Sequence, residues 1–135
     1  MSTKAKTKKA AKVPASIVWF DIPTDHPEKA RKFYNSLFGW KIQKFPVMPD
    51  YWHIDTGGAD ASPDGGLLRR KNPGHRGITN YIFVASADKS AAKAVKLGGS
   101  ICVPKTAVPG MGFFVVLQDL DGNTFALWER NEKAQ

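Results

Sequence analysis

Hydrophobic and polar positions along the chain repeat one pattern twice. Each copy starts with a strand-like run, residues 16–22 or 78–84, followed by an acidic residue and a helix-like stretch. Three further strand-like segments follow each helix, so both copies have the order β-α-β-β-β. An internal repeat of this kind predicts two similar units packed as one body. We therefore expect an α+β fold with repeats at about residues 16–70 and 78–130.

Alternation along the strands divides their side chains between two faces. Residues two apart share a face, so Val18, Phe20 and Ile22 should face the first helix, while Trp19 and Asp21 face the other way. The same rule groups further side chains of the second copy with that other face: Thr79, Tyr81, Phe83, Ala126 and Trp128. The pattern thus predicts a largely aromatic surface that holds one carboxylate.

Apolar residues of the first helix recur at helical spacing and predict one buried face. These residues are Ala30, Phe33, Tyr34, Leu37 and Phe38, and Gly39 provides a stop after them. The second helix has a face of small apolar residues, with Asp88 at its start as the expected cap. Turn-forming residues predict a loop over 56–65 and a hairpin at 119–123.

Length and cysteine content limit the class of protein. A chain of 135 residues is most simply one domain, and its single cysteine, Cys102, permits no internal disulfide. No apolar run is long enough to span a membrane. The basic start is not followed by the apolar region of a signal peptide, so we expect a cytoplasmic protein.

The positive charge is concentrated at the start of the chain. The net charge is +8, and five lysines stand within the first thirteen residues without an acidic residue. Residues 1–14 are rich in Lys and Ala, so they cannot bury enough apolar surface to fold and should form a disordered tail. Weak nonspecific nucleic-acid binding is one function open to such a tail. A solubilising extension is the alternative.

Three segments resemble the vicinal oxygen chelate superfamily, which includes glyoxalase I, bleomycin-resistance proteins and extradiol dioxygenases. They are Trp-Phe-Asp-Ile-Pro-Thr-Asp-His-Pro-Glu from Trp19 with its helix to Trp40, the stretch 103–112, and Asp-Leu-Asp-Gly-Asn-Thr-Phe-Ala-Leu-Trp-Glu from Asp119. The resemblance implies a glyoxalase-like domain over about residues 15–131. It also implies two βαβββ repeats that form curled mixed sheets around a shared cup.

The same resemblance implies a divalent metal bound by His and Glu at four strand positions. We match those positions to Trp19, to Thr79 or Tyr81, to Ala126, and to the run from Gly65 to Leu68. None of them carries His, Asp or Glu, and a catalytic metal needs about three such donors from the protein. We therefore expect no metal and no other cofactor.

The leading hypothesis is metal-independent binding of a small aromatic or cationic molecule, as in the bleomycin-binding relatives. Aromatic rings around a carboxylate suit such a ligand through stacking and cation–π contact. The expected ligand-binding residues are Trp19, Asp21, His53, Thr79, Tyr81, Ala126 and Trp128, with His53 also a candidate acid or base. No catalytic residue is assigned, and a homodimer is expected.

Two alternatives stay open from the sequence. One is a metal-dependent lyase, isomerase or dioxygenase whose metal ligands have moved to other positions. The other is a nucleic-acid-associated protein that acts through its basic tail. The sequence favours a protein that is not an enzyme, because the metal-ligand positions of the superfamily are not preserved.

Overall fold

A computed structural model describes residues 14–59, 62–72 and 77–135 of the chain. The tail predicted for residues 1–14 therefore lies outside the described residues, except for its last position. The elements follow the predicted order: β1 (Ile17–Thr24), α1 (Pro27–Phe38), β2 (Lys41–Lys44), β3 (Tyr51–Asp55), β4 (Asp64–Arg69), β5 (Thr79–Phe83), α2 (Ala87–Lys96), β6 (Ser100–Val108), β7 (Gly112–Gln118) and β8 (Thr124–Arg130). The α+β class and the two βαβββ repeats are confirmed.

The chain divides into two compact units within β5. The first unit contains Ile17–Tyr81, and the second contains Ile82–Gln135 with the described residues that precede Ile17. In the first unit the strand order is β2-β3-β4-β1, with the beginning of β5 beside β1. β1 and β4 are parallel, whereas β2, β3 and β4 are antiparallel neighbours, so this sheet is mixed.

The core of the first unit lies between α1 and one face of its sheet. Ile22, Ile42, Ile54 and Leu67 are buried there. The partly buried residues packed against them are Phe20, Ala30, Tyr34, Trp40 and Trp52. The helix-facing side predicted for Phe20 and Ile22 is therefore confirmed, and Trp19 and Asp21 lie on the opposite face of β1.

Helix α1 ends where the sequence predicts, but its buried face is narrower than the predicted one. Pro27 occupies the first turn and Gly39 ends the helix with a left-handed φ of 76°. The prediction that Phe33, Leu37 and Phe38 are buried is wrong, since their relative exposures are 59%, 59% and 57%. The apolar stripe of the helix is wider than the surface that the short strands of this unit cover.

Replacing Phe33 by alanine should therefore lower the free energy of unfolding by only about 0.5–1 kcal/mol. The exposed ring gains little from burial, and it forms an edge-to-face pair with Tyr34 at 5.2 Å. Tyr34→Ala is the matched control and should cost more, because that ring also packs against the core. Urea denaturation of both variants measures the difference. A Phe33→Ala loss above about 2 kcal/mol would show that the ring is buried in the folded protein.

The second unit has the strand order β8-β7-β6, all antiparallel. Its core joins α2 to β7 and β8 through five buried residues: Ala87, Ala91, Val115, Leu117 and Leu127. The Ser86 side chain caps α2 by accepting a hydrogen bond from the Lys89 backbone N–H, so the cap precedes the expected Asp88. In place of capping, the Asp88 carboxylate accepts a hydrogen bond from Lys105 at 2.9 Å.

Strand β6 runs from Ser100 through Pro104 to Val108. A proline is compatible with this position because β6 is an edge strand. Its free cysteine, Cys102, is exposed. Among the described residues, neither helix has the length and apolar character needed to cross a membrane.

Candidate functional site

A carboxylate lies within the first unit on the sheet face opposite α1. Asp21 stands in the middle of β1, in register with Gly66 of β4, and only 7% of its surface is exposed. Burial of a charged group is costly unless hydrogen bonds replace its lost water. The surroundings of Asp21 supply those hydrogen bonds.

Three aromatic side chains donate hydrogen bonds to this carboxylate. The hydroxyl of Tyr51 donates to Asp21 Oδ1 at 2.5 Å, and the hydroxyl of Tyr81 donates to Oδ2 at 2.7 Å. The indole N–H of Trp19 lies 3.2 Å from Oδ1 and 2.8 Å from the Tyr51 hydroxyl oxygen. These four residues, Trp19, Asp21, Tyr51 and Tyr81, are called the Asp21 cluster below.

The Tyr51 ring reaches Asp21 through a space that a glycine leaves open. A Cβ atom on Gly66 would lie 1.9 Å from the Tyr51 hydroxyl oxygen, 2.1 Å from Tyr51 Cζ and 2.7 Å from Asp21 Oδ1. Gly66 is therefore needed for contact between the ring and the carboxylate. The prediction that the loop extends to residue 65 is wrong, because β4 begins at Asp64 and both Gly65 and Gly66 are buried within it.

Burial, together with the charge of Asp21, determines the ionisation of the two phenols. Burial raises the pKa of Tyr51 far above its usual range, and the nearby negative charge and hydrogen bond of Asp21 raise it further. The pKa of Tyr81 is raised for the same reasons in the same order. Both phenols consequently remain protonated and act as hydrogen-bond donors at physiological pH.

His53 and Asp64 form a second polar group on the same face. The ring of His53 stacks on Trp19, with the ring centroids 5.5 Å apart and the planes 8° apart. Its Nε2 atom lies 3.2 Å from Asp64 Oδ2. The two side chains are 40% and 34% exposed, so this pair contacts solvent whereas Asp21 is buried.

The first unit thus brings four of the predicted ligand-binding residues together. Trp19, Asp21 and Tyr81 are joined by hydrogen bonds, and His53 stacks on Trp19. Thr79 is half-buried two residues before Tyr81 on β5. The other two predicted residues belong to the second unit: Ala126 is fully buried, and Trp128 is half-buried with its ring close to Gly112.

Two residues that the sequence reasoning missed complete the arrangement. Tyr51 is absent from the predicted ligand-binding residues, and Asp64 falls in the loop predicted over residues 56–65. Alternation from His53 places Tyr51 on the same strand face, which is a signal present in the sequence. Nothing in the sequence shows that β4 begins at Asp64 in register with Trp19, because the preceding residues have the composition of a turn.

The side chains on this face do not fit the metal site that the superfamily resemblance implies. Across the described parts of the chain, no three His, Cys, Asp or Glu side chains come close enough to hold a metal ion. Asp21 already accepts hydrogen bonds on both oxygens from neutral donors. His53 and Asp64 provide two donors, one fewer than a protein usually contributes to a catalytic metal.

Comparisons with known proteins agree with this fold. A family model described as bleomycin resistance protein-like N-terminal matches residues 16–57. A Mycobacterium bovis protein that carries the name glyoxylase CFP32 is 29% identical in an alignment over 118 residues that covers 83% of this chain. The aligned region is 43% of that relative, so the chain spans less than half the length of the curated relatives it first matches.

Solved structures show the same architecture at low sequence identity. Methylmalonyl-CoA epimerase from Mycobacterium tuberculosis superposes with a TM-score of 0.67 at 12% identity, covering 92% of this chain and 94% of the epimerase. A glyoxalase/bleomycin resistance protein/dioxygenase superfamily member from Vibrio splendidus has a TM-score of 0.59 at 14% identity, covering 87% and 100%. At such low sequence identities, the structural similarity is evidence for the fold alone.

Together, the family model, the named relatives and the fold show what this chain is similar to. The chain resembles the glyoxalase-like and bleomycin resistance-like members of the vicinal oxygen chelate superfamily. Ligand binding of the type found in this superfamily is the general function that the resemblance supports.

Proposed function

We propose that this protein binds a small cationic aromatic molecule on the face of the Asp21 cluster without a metal ion. The observation that carries the proposal is a buried carboxylate held by three aromatic donors on a face that also exposes part of a stacked Trp–His pair. Such a surface offers negative charge and flat apolar area to the same ligand.

The charges of this face favour a cation. Asp21 and Asp64 lie on neighbouring strands, two residues apart along the β1–β4 register. Both phenols near Asp21 stay protonated, so they do not neutralise its charge. Their aromatic rings have negative faces that attract a cation, with contributions of about 0.5–2 kcal/mol in partly desolvated sites.

The aromatic surface favours a flat ligand. Trp19 is only partly buried, and its ring is nearly parallel to the ring of His53 that stacks on it. Offset stacking of a ligand ring on either of them contributes about 0.5–1.5 kcal/mol beyond the buried area. A ligand that combines an aromatic ring with a cation one or two bonds away would use both features.

The alternative is a metal-dependent reaction of the kind suggested by the glyoxylase name of the mycobacterial relative. It needs metal donors beyond those that the described residues bring together. The two functions differ in one measurable respect, because chelation should abolish the metal-dependent activity and leave cation binding unchanged. Each binding measurement below is therefore made with and without a chelator.

The test compares phenethyltrimethylammonium with the neutral 2-phenylethanol by titration calorimetry. The cation should bind more tightly than the alcohol, with the same affinity in the presence of chelator. Asp21→Asn should weaken the cation roughly tenfold and leave the alcohol nearly unchanged, because it removes the charge and keeps the size. Trp19→Leu should weaken both ligands, because it removes the stacking surface.

Asp121→Asn is the matched control, since it makes the same carboxylate-to-amide change at an exposed turn of the second unit. It should leave both affinities unchanged. Equal weakening of the cation in the Asp21 and Asp121 variants would show that only the net charge matters. The proposal is wrong if the wild-type protein binds neither probe at millimolar concentration, or if binding of the cation requires a metal.

A further inference from the structure

The hydrogen bonds of Asp64 determine which nitrogen of His53 carries the proton. Asp64 Oδ1 accepts the backbone N–H of Thr56 at 3.0 Å, and the Thr56 hydroxyl lies 3.2 Å from the same oxygen. The carboxylate thus acts as an acceptor, so the His53 nitrogen that faces Oδ2 at 3.2 Å must be an N–H donor. In the neutral imidazole this places the proton on Nε2 and a lone pair on Nδ1.

The Nδ1 atom is available to a ligand. Within residues 14–59, 62–72 and 77–135, the structure shows no hydrogen bond to His53 Nδ1. The side chain is 40% exposed, and its ring lies beside the partly exposed indole of Trp19. A ligand that stacks on this pair therefore meets a hydrogen-bond acceptor at the edge of the stacking surface.

We infer that His53, held in one tautomer by Asp64, selects ligands whose cationic group carries an N–H. The inference rests on the proposed function and names its ligand class: aromatic primary or secondary ammonium ions, rather than quaternary ammonium ions. Asp64 is a positioning residue, because it acts through the orientation and tautomer of the histidine.

The selectivity follows from what each cation loses when it leaves water. A primary ammonium ion gives up strong hydrogen bonds to water, whereas a quaternary ion has none to give up. A site that offers only negative charge and aromatic faces therefore prefers the quaternary ion. An acceptor that receives the ligand N–H restores one charge-assisted hydrogen bond and reverses this preference.

The test uses phenethylamine and phenethyltrimethylammonium, which share a ring and a spacer but differ in N–H groups. The wild-type protein should bind the amine roughly tenfold more tightly, as expected for one hydrogen bond to a charged group. His53→Phe keeps a ring for stacking and removes the acceptor, so the preference should disappear or reverse. The ratio of the two affinities is the readout, because a merely structural loss would weaken both ligands together.

Asp64→Asn tests the tautomer. Its amide N–H₂ can donate to Nε2, which allows the proton to move to Nδ1, so the preference for the amine should fall. Asp55→Asn is the matched control, since Asp55 is an exposed carboxylate on the same strand face as His53, and it should keep the full preference.

The outcomes separate this inference from the proposed function. If wild-type protein binds neither cation, the proposed function fails and the inference fails with it. If the wild-type protein binds the quaternary ion as tightly as the amine, the proposed function is supported but the role of His53 is wrong. The same conclusion follows if the His53→Phe variant keeps the tenfold preference for the amine. Equal loss of preference in the Asp64 and Asp55 variants overturns the positioning role of Asp64.

Discussion

Replacing Gly66 by alanine should destabilise the protein by at least about 3 kcal/mol. The new Cβ atom would overlap the end of the Tyr51 ring, at 1.9 Å from its oxygen and 2.1 Å from Cζ. Either the ring leaves its place or β4 moves away from β3. Overpacking of a core by one methyl group commonly costs about 1–3 kcal/mol. Here, displacement of the ring would also deprive the buried Asp21 carboxylate of the hydrogen bond that the Tyr51 hydroxyl donates to it.

Urea denaturation followed by tryptophan fluorescence measures this loss. Gly110→Ala is the control, because Gly110 has a φ of 74° and open space around a new Cβ, so only backbone strain of about 1–2 kcal/mol is expected. A Tyr51→Ala background removes the overlapping atoms, so Gly66→Ala should cost much less there. Equal costs of Gly66→Ala in both backgrounds would mean that the steric account is wrong.

The order of elements could be predicted because each one has a strong local signal. Alternation predicts β1 and its two faces, and Gly39 predicts the end of α1. The predicted buried face of α1 is too wide. Helical spacing shows which residues share an apolar stripe, but it does not show how much of that stripe the sheet covers. The exposure of Phe33 depends on the short neighbouring strands, which local sequence does not encode.

The candidate site could be predicted in part for a similar reason. Trp19, Asp21 and Tyr81 were grouped correctly by strand alternation alone. Their mutual hydrogen bonds, and those of Tyr51, depend on the parallel register of β1 and β4 and on the space above Gly66. Register between strands distant in the sequence is a tertiary property, so the sequence predicts the members of such a group better than their contacts.

The polar groups of the site have different structural and functional consequences. The hydrogen bonds within the Asp21 cluster replace water around a buried charge, so changes there should affect stability as well as binding. His53 and Asp64 are partly exposed and should affect ligand preference with less effect on stability. Binding measurements on cluster variants therefore need the folded fraction of each variant to be known.

The stability of the protein should fall steeply in alkaline solution because of Tyr51 and Tyr81. Both pKa values are raised in the folded state, by burial first and by Asp21 second, whereas phenols of the unfolded chain ionise near pH 10. The contribution of the two protonated phenols to the free energy of unfolding is thus fully present below about pH 10. Above it the unfolded state binds fewer protons than the folded state, so each tyrosine lowers the free energy of unfolding by up to about 1.4 kcal/mol per pH unit.

The two tyrosines together predict a slope of up to about 2.8 kcal/mol per pH unit above pH 10. Urea denaturation between pH 9 and pH 11 measures this slope for the wild-type protein and for the Tyr51→Phe/Tyr81→Phe variant. The variant starts from a lower stability, because it removes two hydrogen bonds to Asp21, but its stability should fall less with pH. Each single variant should remove about half of the difference in slope. Parallel curves for wild type and the double variant would show that these phenols ionise in the folded protein as readily as in the unfolded chain. The conclusion that both phenols form buried hydrogen bonds to Asp21 would then be wrong.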